Sequence, residues 1–347
     1  PKRTRLGPRV TLDDERCILC SRCIRFSQEV AKDDVLGFVD RGSFSTLTCF
    51  PGKELANNYS LNTVDICPVG ALTSTDFRFK MRVWFLKESK SVCTESSAGC
   101  NTLVSSREGT IQRITPRRND QVNDTWMTDS GRELYKIVKA ESRIRRPSFQ
   151  GSDLPLDDAI SQAFEALKNK KIGVVASCHS SLEEQFLIKR LVEETGAKVF
   201  IRGHFGEDDG ILLSADRTPN LRGALVAGLT NHYPSDHLND LNESLADGHV
   251  EALLVIGEDL KDSGVNEDNL RKVPLVFLGT HQNSTSDCAE VVLPGLTVFE
   301  KSGSLINRSF FLQSFEQAIP CPAGLMTDFK ILARLIDLFS EDSIAPS

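Results

Sequence analysis

No stretch of this chain approaches the roughly 18 consecutive apolar residues that would cross a bilayer, so membrane contact has to run through a partner. Positive charge is also in short supply. Lys and Arg number 41 against 48 Asp and Glu, a net charge of −7 that argues against nucleic acid as the main ligand. Arg143, Arg145 and Arg146 make a small basic knot, read as a solvated linker. Ten cysteines in 347 residues are too few for a disulfide scaffold. The glycine-containing stretch Gly203 to Gly210 holds Asp208 and Asp209, not the Lys and Ser or Thr of a phosphate loop. The six histidines (179, 204, 232, 237, 249 and 281) are scattered, and His232 and His237, in a loop with Pro234, read as surface residues. No Ser/His/Asp or paired-carboxylate constellation stands out, so no catalytic residue is expected. No internal repeat or low-complexity tract occurs. The chain starts at Pro1 with neither an initiator methionine nor a signal-peptide pattern, which leads us to expect upstream sequence elsewhere.

What cysteine there is lies mostly at one end. Cys17, Cys20, Cys23, Cys49, Cys67, Cys93 and Cys100 all precede residue 101, which points to metal chemistry in a reducing compartment. The run Cys17-Ile18-Leu19-Cys20-Ser21-Arg22-Cys23 sets three thiols at two-residue spacing on one tight loop, and Cys67-Pro68 offers a distant fourth. That C-x2-C-x2-C…C-P arrangement is how ferredoxin-type loops hold a 4Fe–4S cluster. Zinc, which usually takes cysteines in pairs, is the weaker alternative, and disulfides are weaker still.

A chain of this length suggests two or three domains. After the cysteine loop, Arg22 to Val30 reads as a short helix, and Asp33 to Gly42 as a turn and strand. Leu55 to Asn62 reads as a polar spacer, and a helical Thr63–Ile66 delivers Cys67. From residue 82 to 116 short runs (Val83–Leu86, Thr102–Val104, Thr110–Ile114) with Glu108-Gly109 as a hairpin turn predict a small antiparallel β region. Pro147 to Pro155 reads as a linker. Beyond it, apolar runs at Ile172–Ala176, Lys198–Ile201, Ala252–Gly257, Leu275–Gly279 and Val291–Pro294 alternate with helices, predicting a parallel sheet covered on both faces. Ser180 and Glu183 have capping-box spacing for a helix that runs to Glu194 and ends at Gly196.

The 43 residues between Cys23 and Cys67, with Arg22-Cys23-Ile24-Arg25-Phe26, Arg41-Gly42 and Asp65-Ile66-Cys67-Pro68-Val69-Gly70-Ala71-Leu72, resemble the large iron–sulfur subunit of respiratory complex I, called the G subunit in bacteria. The likeness continues through Arg82-Val83-Trp84, Gly99-Cys100-Asn101, Arg113-Ile114, Val122-Asn123 and Asp129-Ser130-Gly131-Arg132. Ala289–Gly295 and Glu300–Asn307 look like the tail of a molybdopterin-oxidoreductase domain. The resemblance implies an α+β and α/β architecture in three parts. These are a ferredoxin-like 4Fe–4S region over 1–80, a small antiparallel β domain over 81–146, and a shortened, degenerate molybdopterin-oxidoreductase-like α/β domain over 147–347. It assigns Cys17, Cys20, Cys23 and Cys67 to one 4Fe–4S cluster. It implies a relay of electrons from an NADH/flavin subunit toward quinone-side iron–sulfur subunits, on the cytoplasmic side of the inner membrane. Complete members carry further cluster domains ahead of this point, so this chain is expected to offer one relay station. A diaphorase-type subunit of a soluble NAD-linked hydrogenase or formate dehydrogenase is the alternative within the same chemistry, and a cluster-free scaffold the alternative outside it.

Two departures from the family pattern shape further expectations. Some members hold an extra cluster through C-x2-C-x3-C-x27-C in the β domain; here the positions are Cys93, Ser96, Cys100 and Thr128. Two hydroxyls replace thiolates, so no second cluster is expected, and Cys93 and Cys100 read as buried thiols. The α/β part is also far shorter than in molybdenum enzymes, and neither Cys178 nor Cys288 sits in a metal-ligand context, so no molybdopterin is expected. Cys178-His179 could suggest a nucleophile and base, but neighbours on a strand face opposite ways. Arg22 and Arg25, flanking the cysteines, are expected to raise the potential of a bound cluster.

Overall fold

The computed structural model describes residues 3–344. Strands β1 (Arg3–Arg5), β2 (Val10–Asp13), β3 (Leu36–Val39), β4 (Thr46–Cys49) and β5 (Leu72–Ser74) build the first part. β2 pairs antiparallel with both β1 and β5, and β3 with β4 forms a separate hairpin. Alternate residues Val10 and Leu12 of β2 point inward, joining Leu6, Leu36, Leu47, Leu55 and Leu72 in a small apolar core. Helix α1 (Arg22–Glu29) leaves the cysteine loop, and the single turn α2 (Asn62–Asp65) leads to Cys67. The segment before α2 is no polar spacer: Leu55, Tyr59, Ser60 and Asn62 are buried, and the Tyr59 hydroxyl donates to Asp209 at 2.6 Å.

The β region forms as expected, with one shift. Strands β6 (Lys87–Val92), β7 (Asn101–Arg107) and β8 (Thr110–Pro116) make an antiparallel sheet, with Glu108 and Gly109 both at positive φ in the β7–β8 turn. The apolar run Val83-Trp84-Phe85 is a 3₁₀ turn, not the first strand, and all three side chains are exposed. The strand instead begins in the polar Lys87–Ser91 stretch, because its alternate residues Ser89 and Ser91 are small enough to bury. Further on, helix α3 (Asp129–Glu133) is capped by Thr128.

Hairpin strands β9 (Ser148–Phe149) and β10 (Ser152–Asp153) occupy the stretch read as a linker, and β9 pairs antiparallel with the last strand of the large sheet. That sheet contains β11 (Ile172–Ala176), β12 (Lys198–Ile201), β13 (Ala252–Ile256), β14 (Leu275–Gly279) and β15 (Val291–Pro294). Its order is β10-β9-β15-β14-β13-β11-β12, with the five strands from β15 to β12 parallel. β11, β13 and β14 are buried at every position, as both-face coverage requires. Helix α4 (Leu156–Leu167) buries Leu156, Ala159, Ile160, Ala163, Phe164 and Leu167, a stripe at three- and four-residue spacing. Helix α5 (Leu182–Thr195) is closed by a capping box one residue later than the spacing suggested, on Ser181 and Glu184. Ser180 is taken up by a turn to Ser177, and Glu183 reaches Ser304 instead. Gly196 ends the helix at φ 66°. The C-terminal helix Asp328–Ile344 packs beside α4 and α5.

Two features cross the expected boundaries. Arg143 is buried rather than solvated: its guanidinium meets Glu300 at 2.7 Å and donates to the carbonyls of Thr280 at 2.8 Å and Gly295 at 2.9 Å. The hairpin β16 (Gly303–Ile306) and β17 (Leu312–Phe315) leaves the α/β part and packs on β6, where Val92, Leu305 and Phe315 share a cluster. Phe26, Tyr59, Cys93, Cys100, Leu212 and Phe299, drawn from all three parts, lie in one further core.

Candidate functional site

The β2–β5 pairing explains why two cysteine segments distant in sequence meet. Leu12 lies opposite Leu72, so the chain leaving β2 and the chain entering β5 stand side by side. The Asp13 amide donates to the Ala71 carbonyl at 2.7 Å, fixing that junction. Cys17 follows after one 3₁₀ turn, and Cys67 precedes β5 by five residues. Between Cys17 and Cys23 the backbone takes left-handed geometry twice, at Leu19 (φ 56°) and Ser21 (φ 59°). Neither residue favours that region, so the surrounding structure holds the turn that keeps the cysteines together. Cys23 occupies the first turn of α1, and Gly70 (φ 61°) turns the chain after Cys67-Pro68.

Cys17, Cys20, Cys23 and Cys67 line one small pocket, partly open to solvent, with the buried Leu12, Leu47 and Ala71 at its base. Burial pushes the Cys23 thiol up to about 11, and Cys17 and Cys20 add like-charge repulsion. Four thiolates in such a site need a soft cation to offset their charge, and the donor set fits an iron–sulfur cluster. Cys49 is in the same core but turned away, its thiol donating to the Leu6 carbonyl at 3.2 Å. Around the opening, Ile18, Phe38 and Val69 are exposed apolar residues, and Leu19 of the same loop is exposed too. Both arginines are exposed; Arg22 lines the pocket, whereas Arg25 is paired with Glu29 at 3.2 Å. Of the two arginines flanking the cysteines, Arg22 is therefore the one placed at the opening.

The second set of positions is filled by protein. Thr128 Oγ1 donates to Glu95 at 2.6 Å, and Ser96 and the thiols of Cys93 and Cys100 are buried. Burial raises the Cys93 thiol well above its usual range and Cys100 to about 12. A Cβ on Gly131 would come within 2.8 Å of Cys93 Sγ, so the helix start lies directly against that thiol. In the α/β part Cys178 is fully buried, and burial raises its thiol far from a reactive state.

With this geometry in view, comparison with known proteins gives three family matches in the same order. Residues 7–73 match the ferredoxin-like domain of NADH-quinone oxidoreductase subunit 3. Residues 86–136 match the NADH-ubiquinone oxidoreductase NDSU1/NuoG-like 4Fe-4S domain, and residues 215–338 match molybdopterin oxidoreductase. The chain is therefore similar to G subunits of NADH-quinone oxidoreductases. Its relatives include the G subunit of the NADH-quinone oxidoreductase of Rickettsia conorii, 32% identical over 65% of this chain and 34% of that protein. The mitochondrial NADH dehydrogenase [ubiquinone] iron-sulfur protein 1 of Solanum tuberosum is 34% identical over 65% of this chain and 31% of its own length. NADH-quinone oxidoreductase subunit 3 of Thermus thermophilus is 32% identical over 54% of this chain and 25% of its own. The chain thus spans about a third or less of the curated relatives it matches. Among the described residues no helix is long and apolar enough to cross a membrane.

The support behind the cysteines comes from residues that carried no chemical signal in sequence. Asp129 accepts from the Ser60 hydroxyl at 2.6 Å and the Leu61 amide at 3.0 Å, and burial raises its carboxyl. Arg132 donates to Asn62 at 3.0 Å and pairs with Asp65, two residues before Cys67. The motif Asp129-Ser130-Gly131-Arg132 was visible as a family likeness; its task of bracing the Cys67 turn was not.

Proposed function

We propose that this chain is an iron–sulfur relay unit of a peripheral NADH-quinone oxidoreductase arm, holding one 4Fe–4S cluster on Cys17, Cys20, Cys23 and Cys67. The observation that carries this reading is the convergence of those four cysteines on one pocket with an apolar, partly open rim. A cluster held there supplies one-electron transfer with little rearrangement. The protein's own part is positional. Leu12, Leu47 and Ala71 keep the base of the pocket dry, the left-handed residues Leu19 and Ser21 shape the loop, and Arg22 places positive charge at the opening. The exposed Ile18, Leu19, Phe38 and Val69 suit coverage by a neighbouring subunit, because an apolar rim left in water would be costly. The partners we infer are the flavin/NADH-binding subunit on one side and quinone-side iron–sulfur subunits on the other. The arm is placed on the cytoplasmic face of the inner membrane.

A single cluster is the reading favoured by the packed Thr128–Glu95–Cys93 region. Molybdopterin is not assigned, since the thiol nearest the strand ends, Cys178, is sealed inside the fold. Anaerobic reconstitution followed by iron and sulfide assay and low-temperature spin resonance of the reduced protein tests the proposal. About four iron and four sulfide per chain with a fast-relaxing reduced signal is the expected result. Zinc, or no metal, at intact cysteines would overturn it and favour a scaffold.

A further inference from the structure

The carboxyl ends of β12, β11 and β13, three adjacent strands, carry His204, His179 and Glu258. β11 is where the chain's direction across the sheet reverses, since β12 lies on one side of it and β13 on the other. The crevice above such a reversal is where open α/β sheets place ligands. One ligating atom from each of these residues lies within 4.8 Å of the others. His204 Nε2 and Glu258 Oε2 are 2.7 Å apart, and the rings of His179 and His204 meet edge to face with centroids at 5.7 Å.

The surroundings are those of a held carboxylate. Glu258 is 2% exposed, and its second oxygen, Oε1, accepts from Ser177 Oγ at 2.8 Å. Ser177 Oγ in turn accepts from the His179 amide at 3.1 Å, so one hydroxyl orients both the carboxylate and the histidine loop. Gly257, at φ 68°, supplies the left-handed turn that brings Glu258 back over the end of β11. An ordinary His–Glu ion pair accounts for His204 and Glu258 alone. Among the described residues no hydrogen bond engages the His179 ring, which nevertheless stands beside the pair with its other face in solvent.

We propose that His179, His204 and Glu258 form a binding site for a borderline divalent metal ion such as zinc, distinct from the cysteine cluster. Two imidazoles and a carboxylate are an established zinc donor set, and an ordered second shell around a ligating carboxylate is what such sites need. Binding requires a small opening of the 2.7 Å His204–Glu258 contact and a closing of the longest separation, which is at most 4.8 Å. Both move to the roughly 3.3 Å edge of a tetrahedron with ligands at about 2.0 Å. The exposed side of His179 leaves the fourth position to water. By tying the ends of three parallel strands, the ion would stiffen the crevice in which a family cofactor domain has its opening.

The test uses the full chain with its cysteine cluster reconstituted anaerobically, then supplied with zinc and desalted. Zinc K-edge absorption separates this site from any thiolate site, since nitrogen and oxygen ligands lie at about 2.0 Å and sulfur at about 2.3 Å. The expected result is about one zinc per chain with a nitrogen/oxygen shell and imidazole scattering. His179→Ala, at an exposed position, and His204→Ala should each weaken zinc binding at least tenfold with the iron content unchanged. Circular dichroism establishes that both variants are folded, and His179→Gln provides a second variant should His204→Ala misfold. A sulfur shell, no retained zinc, or binding indifferent to both histidine changes would overturn the proposal.

Discussion

Thr128 donates its hydroxyl to Glu95 at 2.6 Å while accepting the Gly131 amide at 3.2 Å, so one side chain both caps α3 and fills the place where the C-x2-C-x3-C-x27-C pattern would need its fourth thiolate. Removing it with Thr128→Ala should cost about 1–2 kcal/mol by urea unfolding, the usual loss for a helix cap. Cys93→Ala and Cys100→Ala should leave iron at about four per chain, because neither thiol belongs to the proposed cluster. An iron loss in either variant would place a metal in the β domain.

Cys49 offers a control within the same small core. Cys20→Ala should lower iron and sulfide to below half and remove the reduced spin signal, whereas Cys49→Ala should retain both. Cys49 gives its thiol to the Leu6 carbonyl and lies outside the pocket. Equal loss in both variants would mean that the core, not the ligand set, was being read.

Arg22 and Arg25 should differ in their electrostatic effect. Arg22→Gln is expected to lower the midpoint potential by roughly tens of millivolts, since a cation at the opening stabilises the added electron. Arg25→Gln should shift it less, because Glu29 already neutralises that side chain and solvent screens the pair. Redox-titrated spin resonance distinguishes the two, and a larger shift from Arg25 would refute the placement.

Lys301 sits between Glu184 at 2.7 Å and Asp328 at 2.9 Å, joining the cap of α5 to the start of the C-terminal helix. Burial pulls its ammonium down, but the two carboxylates outweigh that and hold it firmly protonated. Lys301→Met would leave two buried carboxylates facing each other without a cation. A loss of about 3–5 kcal/mol is expected, the range for breaking one side of a buried ion pair. A chemical-denaturation change below about 1 kcal/mol would show the carboxylates relaxing into water.

Glu183 gives the pH dependence its direction. Burial raises its carboxyl, but the Ser304 hydroxyl and amide outweigh that and leave it below the ordinary 4.5. A depressed carboxyl contributes stability that is present above 4.5 and lost as pH falls through its lowered value. The gap in unfolding midpoint between wild type and Glu183→Gln should therefore be open at neutral pH and close under acid. The gap should be small, since Glu183 is exposed and screened. A gap that widened on acidification would contradict this sign.

Much of the fold was readable from local pattern. Apolar runs such as Ala252–Ile256 declare strands buried on both faces, and the serine and glutamate doublets before α5 announced its cap to within one residue. The run Val83-Trp84-Phe85 misled because hydrophobicity marks burial against something, and here Arg82 over Trp84 and Arg107 over Phe85 leave all three side chains exposed. Arg143 misled in the opposite sense: charge in a basic cluster reads as solvated until a distant Glu300 and several carbonyls meet it.

The primary structure by itself marked Cys17, Cys20, Cys23 and Cys67 as the candidate ligand set, since C-x2-C-x2-C confines three thiols to one loop whatever surrounds it. Only the tertiary structure showed how Cys67 comes to face them while Cys49 turns away to the Leu6 carbonyl, because strand pairing sets which distant residues become neighbours. The same holds for His179, His204 and Glu258. They have no spacing of their own, and three parallel strands ending at one level bring them to a common point.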